Sequence, residues 1–105
     1  MELRFKKFDE FVTRDEIVLG EAHRVYHRTG EVDPELMLYA SYVHVVSLAT
    51  GDDYYVPTDF IVGRDPATGV IRLSVTMKQV EALTWTRIPD FVAHGQAREE
   101  ALPRM

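Results

Sequence analysis

Apolar and polar residues alternate most clearly in YVHVVSL, where Tyr42, His44, Val46 and Leu48 share one face and Val43, Val45 and Ser47 share the other. Valines dominate the run, and the spacing predicts a strand over Tyr42–Leu48. The preceding residues of LMLYASYVHVVSL allow a helical start. Earlier, EIVLGEAHRVYHR is rich in β-branched and aromatic residues, which predicts a long strand from Glu16, with Gly20 placed for a bulge or bend. Met1 to Phe11 spaces its apolar residues by two and then three, so periodicity leaves strand and helix open there. Between these segments TGEVDPE carries the glycine, proline and acids of a turn.

Farther along, DDYYVPTDFIV reads as a strand ended or bent by Pro57, because proline donates no hydrogen bond and is tolerated only at an edge or bend. RDPATG then has turn chemistry between DFIV and VIRLSV, which predicts a hairpin. In VIRLSV the apolar Ile71, Leu73 and Val75 alternate with Arg72 and Ser74, the pattern of a strand with one wet face. Thr76 and Gln79 have the spacing of a capping box, so a short helix is expected over Met77–Leu83, with Met77, Val80 and Leu83 covering an open end of the sheet. After Val92 the periodicity fades, and residues 93–105 read as a polar, mobile tail or a frayed helix. The order of elements predicts a mainly β domain over residues 1–92: a small half-open β-barrel with one short C-terminal helix.

Composition narrows the functions open to such a domain. At 105 residues the chain has room for one core and not for separate cofactor and substrate domains. Twelve basic against seventeen acidic residues give a formal charge of −5, which opposes generic attraction to nucleic acid and to anionic membranes. Arg4, Lys6 and Lys7, and the pair Arg24 and Arg28, would serve an RNA-associated factor only if they gathered on one face. With no cysteine, disulfides, thiol nucleophiles and thiolate metal sites are excluded. MELRFKKFDEF lacks the apolar stretch of a signal peptide, and no run approaches the ~18 residues of a membrane span, so a cytoplasmic protein without membrane contact is expected.

The segment YYVPTDFIVGRDPATGVIRLSVTMKQVEALTW resembles the PRC-barrel-like domains, found in the photosynthetic reaction-centre H subunit and in ribosome maturation factors. The shared features are a strand ending in the Val56–Pro57 step, an aromatic strand leading to a turn, the apolar strand VIRLSV and a threonine opening the helix of TMKQVEALTW. The resemblance is specific over Tyr54–Trp85 and follows strand order alone over Glu16–Leu48, where LGEAHRVYHR carries only Gly20 of the family's glycine-rich turns. It implies a barrel that acts as an assembly, adaptor or regulatory module, and it brings no catalytic residue with it.

Candidate chemistry is sparse. His23 and His27 have ligand spacing for a helix, but on a strand they would share a face about 13 Å apart at ~3.3 Å per residue, too far to clamp one metal ion. A ligand-binding or enzymatic barrel would need His23 or His44 to converge on a carboxylate in a pocket. Ser41, Ser47 and Ser74 lack the nucleophile elbow, and the six glycines form no phosphate loop. No catalytic, cofactor or metal residue is therefore assigned. Adjacent Tyr54 and Tyr55 must face opposite sides of a strand, one packing with Phe60 and the other facing outward. Trp85 reads as a lid over the barrel mouth, and Arg87 either pairs with Asp90 or meets a partner. The expected interaction surface is thus Tyr54, Tyr55 and Arg87, serving a non-catalytic interaction module that forms homo-oligomers through exposed sheet edges or binds another protein.

Overall fold

β2, Val18–Arg28, organises the sheet because it is long enough to serve different neighbours along its length. The structure, a computed structural model, describes residues 4–29 and 39–104. One edge of β2 pairs with β3, Ser41–Val46. The other edge pairs through its first half with β1, Glu10–Val12, and through its second half with β7, Ala97–Ala101. β4, Asp53–Pro57, joins β3 antiparallel. β6, Ile71–Leu73, runs parallel to β1, and β5, Ile61–Arg64, forms the expected antiparallel hairpin with β6. The result is a seven-stranded mixed sheet in the order β4-β3-β2-β1-β6-β5, with β7 beside β2. β4 and β5 end the path, and no ladder joins them among the described residues, so the sheet is open.

One face of this sheet holds the core. Phe11, Leu19, Val25, Val43, Val45 and Val56 are all buried there; Val43, Val45 and Ser47 share a face, as alternation predicts, and that face is the inner one, while Leu48 is exposed. Ile71, Leu73 and Val75 are likewise buried, with Ser74 exposed. Gly20 lies where the β1–β2 register slips, as its place in the sequence suggests. It must be glycine: a Cβ there would stand 2.4 Å from the carbonyl oxygen of Val46. Pro57 ends β4 on the open edge of the sheet, where its missing amide costs no interior ladder bond. A single 3-10 turn, Thr58–Phe60, follows it.

α1, Met77–Ala82, starts with the expected reciprocal cap: Gln79 N–H donates to the Thr76 hydroxyl, and Thr76 N–H donates to the Gln79 side chain. Val80 is its buried residue, whereas Leu83 is 41% exposed and covers less than the spacing suggests. A second helix, α2, Asp90–Ala93, joins the single expected one; Pro89 presets its entry and the buried Phe91 anchors it against Tyr42 and Arg28. Residues 97–101, read from sequence as part of a polar tail, form β7 instead. β1 covers only Val18–Glu21 of its edge of β2, and the unpaired backbone groups beyond need partners whatever side chains the partner carries. Leu102, buried in the core cluster, pins the end of β7. The turn at TGEVDPE and the helical start of LMLYASYVHVVSL fall largely outside the described residues. No described helix is long and apolar enough to cross a membrane.

Candidate functional site

Tyr54 and Tyr55 part as neighbours in a strand must. Tyr54 is 8% exposed within the core cluster, and Tyr55 lies on the outer face. Phe60 packs against the same core, but its ring partners are Trp85 at 5.3 Å and Tyr39 at 5.5 Å between centroids. Of the three expected surface residues, Tyr55 and Arg87 come together and Tyr54 does not. Its placement in the core follows from the β4 register, which sets it opposite the fully buried Val45.

Tyr55 and Arg87 line an open groove of about 450 Å³ where the edge of β4 meets the segment 83–90. Rings run along it: Tyr42 to Tyr39 at 6.2 Å, Tyr39 to Phe60, and Phe60 to Trp85, all three edge-to-face. Pro89 adds apolar surface, Pro57 is fully buried beneath it, and Leu83 and Ile88, both more than 40% exposed, form part of the rim. The volume lies within the ~300–1,000 Å³ range of ligand clefts. Two guanidinium groups, Arg28 and Arg87, and one carboxylate, Asp90, also line it. Arg28 is fixed over the Phe91 ring at 4.2 Å and donates through Nε to the Tyr39 carbonyl at 2.6 Å. Arg87 is exposed, and no ion pair joins it to Asp90 or to any other described acid.

Thr84, on the groove wall, has φ of +54°. A β-branched residue in the left-handed region carries strain of roughly 1–2 kcal/mol, in a place where helix ends ordinarily have glycine. Its hydroxyl donates to the Leu83 carbonyl at 2.7 Å. Burial raises the pKa of the Tyr55 hydroxyl, with the neighbouring Asp53 adding to the shift, so the hydroxyl is held as a neutral donor and acceptor.

Beside the groove the outer face brings His23 and His44 together. A bulge in β2 sets Ala22 opposite Val45 and Arg24 opposite His44, leaving His23 as the extra residue. It brings His23 within 6.1 Å of His44 between ring centroids and reverses the alternation beyond it, so His27 lies on the inner face and shares no face with His23. His44 donates from Nε2 to Asp53 at 2.8 Å and stacks on Tyr55 at 5.0 Å, the planes 5° apart. The remaining nitrogen of His44, Nδ1, is buried without a partner, as is His23 Nε2. A general base needs its free nitrogen within reach of a substrate proton. In His44 that nitrogen is sealed, so the pair with Asp53 acts to hold Tyr55's stacking partner in place. Neither histidine lines the groove.

On the inner side, a larger open cleft of about 1,070 Å³ lies between the free edge of β5 and the β2–β7 pair. Ser41 Oγ lies 2.7 Å from His27 Nδ1, and Glu100 Oε1 lies 2.8 Å from His27 Nε2. Register accounts for this chain of bonds: Ser41 is the direct cross-strand partner of His27, and Glu100 is its diagonal neighbour on β7. No sequence signal could unite the three while β7 was read as tail. No group of three or more metal-ligating side chains occurs among the described residues. Basic side chains are dispersed among acids, with Arg24 on Glu99, Arg64 on Asp9 and Arg72 on Glu16 and Asp65. No family model, curated protein or solved structure matches the chain.

Proposed function

We propose that the chain is a non-catalytic interaction module, a half-open barrel of the PRC-barrel-like kind, that binds another protein through the groove around Tyr55 and Arg87. The observation that carries this reading is the run of rings beside an exposed arginine that pairs with no described acid, on an open wall of the domain. Aromatic and arginine side chains dominate the energetics of protein contacts, because they offer large area and forked donors at low entropic cost. The strained Thr84 on the same wall supports it, since strain persists where a fixed shape is required. Self-association belongs to the same proposal: the free edge of β5, where Val62 is 71% exposed, offers unpaired backbone to a second copy. The domain works in the cytoplasm in this reading.

Affinity capture from lysate of the native cells, with the wild-type domain and the Tyr55→Ala and Arg87→Glu variants as baits, tests the role. Proteins retained by the wild type and lost from both variants are expected. Identical retention by all three baits removes the groove from the reading. Light scattering at micromolar concentration tests self-association, and a monomer throughout the range rejects it.

A further inference from the structure

Resting on that reading, we propose that the groove takes an extended, proline-bearing peptide segment that carries carboxylates. The state of the β4 edge selects this occupant. A peptide that adds as a strand needs free amides and carbonyls along an edge. Here the outward amide of Tyr55 is already bonded to the Trp85 carbonyl at 2.8 Å, and Pro57 has no amide to offer. An occupant must therefore bind by side-chain packing and not by a backbone ladder. A polyproline-type segment meets that condition, since it forms no internal hydrogen bonds and arrives already extended, with little conformational entropy to lose.

The surface it would meet is made of flat faces and a few polar tips. Tyr39, Tyr55 and Phe60, all partly exposed, present rings, with the buried Trp85 packed behind Phe60, and proline rings pack well on such faces with tyrosine hydroxyls left to bond the segment's carbonyls. Charge sets the second half of the specificity. Arg28 and Arg87 outnumber Asp90 in the groove, a local excess of positive charge on a chain of net charge −5. Arg87 pairs with no acid among the described residues, so a carboxylate beside the prolines would complete a forked pair at the rim. A basic proline-rich segment would instead set its charges against both arginines.

Trp85, the chain's one tryptophan, is buried at the groove wall against Phe60, so its emission responds to a segment seated on that ring. The probe is a synthetic peptide of repeated Pro-Pro-Glu units, titrated against the full chain. Its controls replace every proline by alanine in one peptide and every glutamate by lysine in another. Saturable change in Trp85 emission is expected with the first peptide, and binding at least about tenfold weaker with each control. Arg87→Glu, an exposed change that leaves the core untouched, is expected to weaken the acidic peptide by a similar factor and to favour the lysine peptide. Tyr55→Ala should weaken binding while the circular dichroism spectrum is kept.

No saturable response to about millimolar peptide overturns the proposal, as does equal binding of the alanine control or an unchanged affinity in Arg87→Glu. The broader role is judged separately. If the peptide fails while lysate capture still depends on Arg87, the ligand class is wrong and the interaction role stands; if both fail, the groove has neither.

Discussion

Replacing Tyr54 and Tyr55 by alanine, one at a time, separates the structural half of the YYVP strand from its outward half. Tyr54 is 8% exposed and belongs to the core cluster with Val43, Val45 and Val56. A tyrosine removed from water to that extent hides about 200 Å², worth roughly 4–5 kcal/mol at ~25 cal/mol per Å², of which alanine keeps a small part. The unfilled space adds to the loss, and the expected cost of Tyr54→Ala is about 3–5 kcal/mol. For a domain of this size each kcal/mol moves the melting temperature by roughly 4–8 °C, so a fall of about 15 °C or more is expected. Tyr55 is half-buried and stacks on His44, and an aromatic pair is worth about 0.5–1.5 kcal/mol, so Tyr55→Ala should lower the melt by only about 5 °C. Tyr54→Phe, which keeps the ring, is the control and should stay within about 1 kcal/mol of wild type. Thermal unfolding followed by circular dichroism measures all three. Tyr54→Ala within about 1 kcal/mol of wild type, or Tyr55→Ala as costly as Tyr54→Ala, would refute the assignment of faces in β4.

Three further outcomes are expected. Gly20→Ala should destabilise by at least about 2 kcal/mol in urea unfolding, because its Cβ would strike the backbone of Val46, and a neutral result would show that β2 and β3 do not approach so closely. Thr84→Gly should raise stability by about 1 kcal/mol through relief of the left-handed conformation while leaving the fold unchanged, and a loss of stability would deny the strain. His23 has its pKa lowered from the ordinary 6.5, first by burial and then by the nearby His44, Lys7 and Arg24. The unfolded chain therefore binds this proton more readily than the folded one; stability is full above the unfolded pKa and falls as the pH drops below it toward the depressed folded value. Urea midpoints between about pH 7.5 and about pH 5 should decline less steeply in His23→Gln, and parallel declines would remove His23 as a source.

Legibility followed locality. The strand faces of β3, the Gly20 bulge, the proline at the β4 edge, the hairpin around RDPATG and the Thr76–Gln79 cap are each set by neighbouring residues, and each was readable. β7 was not, because AREEA has the composition of a solvated tail and is a strand only because half of one edge of β2 lacks a partner. The His23 bulge was hidden for the opposite reason: one extra residue in β2, visible only against β3, changes which histidines share a face. Part of the candidate site was foreseeable, since adjacent tyrosines must diverge, whereas the sequence left Arg87 open between a pair with Asp90 and a partner. Its walls were not, because Tyr39, Tyr55 and Trp85 meet only when segment 83–90 bonds the edge of β4.

The groove's role is tested most directly by site-specific photo-crosslinking in the native cells, with benzoylphenylalanine placed either at Ile88 on the groove rim or at Leu48, a more exposed residue past the end of β3. A discrete crosslink to another polypeptide from position 88, absent from position 48 and abolished by Arg87→Glu in the same chain, is the expected result. No crosslink from position 88, or the same products from both positions, would contradict a binding role for the groove.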